Sequence, residues 1–385
     1  MKATGPLAGL RVLDMTQFIL GPLATQILGD MGADVIKIEP PGGDPNRQVG
    51  ASRHPGMSTL YLGMNRNKRS VVLDLKQPAD MDILMQMAEH ADVFVHSLKL
   101  NASQRLGVDY PGISRRNPRI IHACAPGYRS DGPLRNQPAY DDVIQGESGI
   151  VDLNFLNTGV NRYLPIVLAD KFCGHALASA IAMALYHRSQ TGEGQSVEVP
   201  MLETMLSFNL VEHLCKGAFD APREPAGYER ALMAERRPAE TLDGGFVCWL
   251  ATTDEQWTRM FKAFERDDLL GDQRFATAKS RSERFPAAYA AVAEMIGRHT
   301  TADARARLDV AGIPNSVPRR LKDLETDPYL VETEFFQPMP HPVAGPMVTP
   351  AIAPKFSRSP AQLRRPPPCL GEHTEEVLAE LGIKR

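Results

Sequence analysis

The sequence predicts an α/β fold on a parallel sheet, with a second and smaller α+β module after it, and three observations carry that reading. Residues 10–39 run strand, turn, helix, strand, the βαβ unit that makes neighbouring strands parallel. The alternation of strand and helix recurs through residues 69–125. From residue 219 the composition shifts to proline and mixed charge, and the chain beyond it carries two short strands and several amphipathic helices rather than further βα units.

Residues 10–15 (LRVLDM) form a buried strand and residues 16–21 a turn. A helix over 22–31 opens on Pro22 and stops before Gly32. Residues 33–39 (ADVIKIE) are the second strand, ending in Glu39. Dinucleotide-binding folds place an acid there, but they also need a glycine-rich turn so that a pyrophosphate can reach the helix backbone. The turn here holds a single glycine, Gly21. The unit is therefore Rossmann-like in topology without being a nicotinamide site. Residues 40–66, with Pro40-Pro41-Gly42-Gly43, read as a long and hence functional loop. Strands follow at 69–75, 91–96 and 119–125, with a helix at 77–89 and a polar loop after the 91–96 strand. The methionines of 81–87 read as core filling. Residues 127–140 are polar and turn-rich, and a helix starts at Tyr140-Asp141-Asp142, with acids at its N-terminus.

Residues 165–195 are the most distinctive stretch. An apolar run at 166–169 leads to Asp170 at the mouth of a long helix. From 173 to 183 its residues are nearly all small (Gly174, Ala176, Ala178, Ser179, Ala180, Ala182), as in a helix covered by protein on most sides. Thr191-Gly192 ends it. The residues favour Asp170 as an N-cap; a buried carboxylate kept for chemistry is the other reading, and neither excludes the other. His175 reads as a satisfied helical histidine. A strand at 195–199 and a helix at 202–216 come next. Residues 219–240 read as a linker, and 241–320 as the α+β module. The module has a hairpin turn at Asp243-Gly244, a strand at 246–251, helices at 254–266, 286–298 and 301–311, and a last strand at 313–317. Residues 321–385 return to extended, proline-rich chain from Pro338 to Pro368, an ordered strap, and end in a helix at 374–381 capped by Thr374.

Hydrophobic content of 43% with 23% charged residues suits a soluble globular chain. Net charge is −3 and the arginine pairs are scattered, which argues against nucleic acid or an anionic membrane as partner. Five cysteines, odd in number and without a CxxC or a Cys/His cluster, read as free thiols of a reducing compartment, with no metal site. There is no leader-like apolar stretch at the start and no apolar run of about 18 residues, so a cytoplasmic protein is expected. Walker A, GxSxG and HExxH are all missing. What remains is Asp170, the Tyr140-Asp141-Asp142 turn, and the first βα turn with Gln17. A carboxylate serves as nucleophile or as base; composition and spacing leave both an enzyme and a binding module open.

Six blocks then carry a resemblance: LAGLRVLDMTQFILGPLATQILGDMGADVIKIEPPGGD, NRNKRSVVLDLK, PAYDDVIQGESGI, the LAD ending at Asp170, RSQTGEGQSVEV and LGEHTEEVL. In this order, over almost the whole chain, they resemble the class III CoA-transferases, which have the α-methylacyl-CoA racemases as relatives. The resemblance implies a large Rossmann-like CoA-binding domain built from 1–218 and the returning 321–385. It implies a small domain (241–320) inserted through the 219–240 linker, and an interlocked homodimer. It makes Asp170 the nucleophile that attacks an acyl-CoA thioester, sets Gln17 in the active-site turn beside developing oxyanions, and puts Tyr140 and Asp141 near the reacting centre. Leu73, Lys76, Ser97, Leu98 and Arg105 match positions that contact CoA. Pro40 replaces a common basic residue, for which Arg47 or Arg53 would substitute. The residues 95–101 depart from the family's usual loop. The substrates implied are an acyl-CoA and a carboxylic acid, with CoA as co-substrate and no tightly bound cofactor. Arg129 and Arg135 hint at a dicarboxylate. A racemase-type proton transfer is the alternative, but racemases carry a histidine where this chain has Tyr140, and its loss favours transfer. An acyl-CoA-binding protein without turnover is the third reading.

Overall fold

Six short runs rich in branched residues hydrogen-bond into one parallel sheet: β1 (Arg11–Met15), β2 (Asp34–Glu39), β3 (Lys68–Val72), β4 (Val93–His96), β5 (Ile121–Cys124) and β6 (Gln195–Glu198). The computed structural model describes residues 3–219 and 226–385, so part of the expected linker, 220–225, lies outside the described residues. The strand order is β3-β2-β1-β4-β5-β6, every pairing parallel, with the direction of winding reversing between β1 and β4.

Alternate strand residues feed two cores, as a sheet covered on both faces requires. Val12, Val35, Val93 and Val95 pack with α1 (Leu20–Asp30) on one side. Leu13, Ile36, Phe94 and Val71 pack on the other, where Met87 is among the fully buried residues. Each such aliphatic side chain contributes about 1.5–3 kcal/mol on burial.

The expected loop at 40–66 contains a 3-10 turn, Pro45–Gln48, and α2 (Thr59–Met64), started by Ser58, whose hydroxyl accepts the Tyr61 N–H. After α3 (Pro78–Glu89), the expected polar loop beyond β4 holds α4 (Leu100–Leu106) and α5 (Tyr110–Ser114). Helices of five to seven residues are too short to hold together alone and show almost no periodicity.

Next come α6 (Asp141–Glu147), α7 (Ile150–Thr158), α8 (Leu168–Thr191) and α9 (Met201–His213). In α8 the cap is Val167, so Asp170 is not the N-cap expected for it; it stands in the first turn, because the apolar run before it is already helical. Gly174 lets α8 lie directly on α1, since a Cβ there would sit 2.8 Å from the Leu20 carbonyl oxygen. Gly192, at φ 82°, closes the helix. Among the described residues the cover expected on most sides of α8 is partial: Ala169, Cys173, Leu177 and Ile181 are buried, while Met183 is 71% and Tyr186 70% exposed. By length and composition α8 is long and apolar enough to cross a membrane, although its buried stripe packs inside the α/β core.

The chain divides into two compact units. One comprises Met1–Ile150, Tyr163–Phe208 and Val331–Arg385; the other comprises Val151–Arg162 and Asn209–Leu330. Residues 151–162, 209–218 and 321–330, expected with the large domain, thus group with the second unit. There the Asn157 side chain donates to the Leu232 and Met233 carbonyls, and His213 accepts the Tyr228 N–H. The second unit has a small antiparallel sheet of Ala239–Glu240, Phe246–Trp249 and Asn315–Ser316. Its core gathers Val247, Trp257, Phe261, Val292, Ile296 and Leu308.

In the first unit the proline-rich return is an ordered strap. Phe336–Pro338 pairs with Val348–Pro350, Arg66 donates to Thr349 and Pro350, and Asn67 accepts the N–H groups of Arg364 and Arg365. The last helix is Thr374–Leu381, with His373 at its N-cap position and no side-chain capping bond. Thr374 is its first residue rather than its cap, because its hydroxyl is taken by the Val72 N–H and the Gly371 carbonyl.

Candidate active site

The site begins with buried charge under the first βα turn. Asp14 of β1 accepts the Thr16 N–H (3.0 Å), the Thr25 hydroxyl (2.6 Å) and Lys68 Nζ (3.0 Å). Lys37 Nζ donates to the Thr16 carbonyl (2.9 Å) and pairs with Asp44 at 2.9 Å. Burial by itself raises the Asp14 carboxyl; Lys68, Lys37 and two hydroxyls bring it down to about 2. Above this cluster Phe18 sits at φ +66°, which costs a bulky residue about 1–2 kcal/mol. Its N–H donates to Asp44 (3.3 Å) and its carbonyl accepts Asn46 Nδ2 (2.7 Å), which offsets the strain and fixes the turn.

That turn is one wall of a cleft of about 440 Å³ at the carboxyl ends of the strands, across the β1/β4 reversal. Ligands of open parallel sheets bind in this place. Gln17 and Phe18 follow β1, Ile38 and Glu39 end β2, Leu73 to Lys76 follow β3, Ser97 to Lys99 follow β4, and Ala125 to Gly127 follow β5. Arg135, Tyr140 and Asp170 also line it. Of the residues singled out in the sequence, Gln17, Tyr140, Asp170, Leu73, Lys76, Ser97 and Leu98 come together here.

Two do not line it. Asp141, only 8% exposed, lies behind Asp170: it accepts the Asp170 backbone N–H (3.1 Å) and Gln145 Nε2 (2.6 Å), tying α6 to the start of α8. Arg105 is exposed in the last turn of α4, outside the lining, where its neighbour Leu106 takes part instead. Arg47 is not a free cation. It is buried on Glu39 (2.7 Å), with its guanidinium 3.8 Å from the Tyr61 ring centre and donating to the Pro368 carbonyl. Arg53 is exposed and also outside the lining. The same contacts account for Glu39. Its oxygens accept from Arg47, Ser70 and the Asp44 N–H, so it has no lone pair left for a ribose.

Phe18 and Lys99 are lining residues that were not singled out in the sequence. Phe18 meets Tyr140 edge to face, centroids 5.5 Å apart, with both rings exposed on the cleft. Lys99 stands with Lys76 and Arg135 as exposed cations of the lining; a lysine inside the departing 95–101 loop was the available signal.

Asp170 is the unusual acid. Burial first, and the Asp141 charge second, push its carboxyl up to about 7, while the helix N-terminus works toward the ionised form. Near neutral pH it is divided between its two states, and its carboxylate is poorly solvated. Such a group suits nucleophilic attack or proton abstraction. Among the described residues no group of three His, Cys, Asp or Glu side chains is arranged to hold a metal ion.

Known proteins bear on this geometry. The sequence model of CoA-transferase family III matches residues 7–374. Rv3272 of Mycobacterium tuberculosis, a probable fatty acyl-CoA transferase, is 30% identical and covers 97% of this chain and 98% of its own. Its orthorhombic crystal form superposes with a TM-score of 0.82 at 28% identity, over 97% of this chain and 99% of that one. The succinyl-CoA:glutarate CoA-transferase of Homo sapiens is 27% identical over 99% of this chain and 87% of its own.

Proposed function

This chain belongs to CoA-transferase family III, and from that premise we propose that it moves CoA from an acyl-CoA thioester to a carboxylic acid through covalent intermediates on Asp170. The observation that carries the reading is the Asp170 carboxyl itself, in the wall of a cleft at the strand ends with Gln17 and Tyr140, raised to about 7 beside a second acid.

An Asp170 carboxylate oxygen attacks the thioester carbonyl, the C–S bond breaks, and CoA thiolate leaves a mixed aspartyl anhydride. The thiolate then attacks the aspartyl carbonyl, releasing the donor acid and leaving an aspartyl-CoA thioester. The acceptor carboxylate attacks that thioester to form a second anhydride and free the thiolate again. The thiolate finally takes the acceptor acyl group, and Asp170 returns as a carboxylate. Each step builds an oxyanion, for which the Gln17 amide and the Tyr140 hydroxyl are the donors. Asp141 orients the start of α8 through the Asp170 N–H, and its charge adds to the rise of the Asp170 carboxyl. Lys76, Lys99 and Arg135 supply the cations that CoA phosphates require, with Leu73, Ser97 and Leu98 along the strand ends. A second copy of the chain, interlocked as in a family homodimer, would cover the exposed face of α8.

The test is intact-protein mass spectrometry with donors that include succinyl-CoA and a fatty acyl-CoA. The expected result is a CoA-sized covalent adduct on the wild type, absent from Asp170→Ala and discharged by an acceptor acid. Transfer by Asp170→Ala at the wild-type rate would refute the reading.

A further inference from the structure

Two imidazoles beneath the cleft take no part in the chemistry above. His96 ends β4 and His122 lies on β5, their ring centroids 5.0 Å apart, and His122 stacks on Phe94 at 5.7 Å and 9°. Each residue is 3% exposed. Burial brings His96 down to about 3 and His122 below the usual histidine value, so both are neutral at working pH.

Each ring commits one nitrogen to a backbone group. His96 Nδ1 accepts the Leu98 N–H (3.1 Å), which puts its own proton on Nε2. His122 Nε2 donates to the Val108 carbonyl (2.9 Å), which leaves Nδ1 bare. The other two nitrogens, His96 Nε2 and His122 Nδ1, are buried and have no hydrogen-bond partner among the described residues. A buried polar atom left unpaired is destabilising, and a leucine at either place would avoid it. What the imidazoles supply against that cost is the two backbone bonds.

Those bonds fall at the two ends of one segment. Leu98 precedes α4 and Val108 follows it. Between them the chain contributes Leu98, Lys99 and Leu106 to the cleft wall. Behind the wall lies a second cavity of about 200 Å³, lined by both rings together with Leu98, Ser103 and Tyr110, into which the segment could shift if the bonds were cut.

We infer that His96 and His122 are positioning residues that clamp both ends of the 97–108 segment and so hold the wall against which CoA is bound. The ligand named here rests on the transfer reading; the clamp does not. Four variants test it. His96→Leu and His122→Leu cut the bonds. His96→Asn keeps an acceptor near Nδ1, and His122→Gln keeps a donor near Nε2. The leucine variants should raise KM for acyl-CoA about tenfold with kcat within about twofold of wild type, and the amide variants should recover to within about threefold. Hydrogen exchange of peptides covering 97–108 should quicken in the leucine variants only, with the sheet unchanged. Should a leucine variant fail to fold, His96→Gln and His122→Asn, which move the polar atom out of place, carry the same comparison. Exchange as slow as in the wild type would overturn the clamp. Faster exchange with unchanged KM would overturn its link to CoA, and the transfer reading would still stand or fall on its own mass adduct.

Discussion

Asp14 and Asp170 are carboxylates of the same α/β unit, and burial pushes both the same way. They finish about five pH units apart, near 2 and near 7. Asp14 has two lysines and two hydroxyls around it, and it holds the backbone from which the Gln17 turn departs. The charge that bears on Asp170 is another acid's. Burial therefore does not decide what an acid does; its company does. The acid with cations organises the turn, and the acid beside a second acid is the one that the proposed transfer uses.

The largest effect that would break this contrast is on turnover. Asp170→Ala should lower transfer at least about 10⁴-fold, as loss of a covalent nucleophile does. A loss under tenfold in steady-state assays would make Asp170 as structural as Asp14. The next is on stability. Asp14→Asn leaves Lys68 buried without its ion-pair partner and should cost about 3–5 kcal/mol in urea unfolding. Asp170→Asn should do the reverse and raise Tm at neutral pH. The signs come from linkage. The Asp170 pKa is higher folded than unfolded, so its contribution is present at low pH and is lost as pH rises from about 4 to about 7. The Asp14 pKa is lower folded, so its contribution is present above about 4 and is lost as pH falls toward 2.

A smaller effect sharpens the role of Asp141. The acid limb of kcat/KM should have its midpoint near 7, and Asp141→Asn should move it down by less than the whole shift, because burial is the larger cause. An unmoved midpoint would remove Asp141 from the account. The smallest effect concerns the turn. Asn46→Ala removes one bond to the Phe18 carbonyl and should cost about 1 kcal/mol, with transfer reduced several-fold as Gln17 loosens.

The inner strands were legible because buried parallel strands are apolar runs between turn signals, and the half-exposed edge strand β6 by its position between two helices. The residues that gather in the cleft were reached through the family resemblance and not through composition or spacing. Other features were hidden by distance in the sequence. Arg47 looked like a spare cation, but Glu39, Tyr61 and Pro368 converge on it only in three dimensions. Asp170 looked like a cap because the apolar residues before it carry no mark of being helical. Phe18 gave no sign of a left-handed backbone, which the Asp44 and Asn46 contacts impose. The short α4 and α5 were hidden because contacts made elsewhere in the chain, those of His122 among them, hold that segment.

The measurement that tests the central claim most directly tracks the oxygen. In the proposed cycle the bridging oxygen of the second anhydride comes from the acceptor acid and stays on Asp170. Turnover with an acceptor carboxylate labelled with heavy oxygen, followed by peptide mass spectrometry, should place label in the peptide containing Asp170 and in no other. New acyl-CoA formed with that peptide unlabelled would contradict covalent transfer through Asp170.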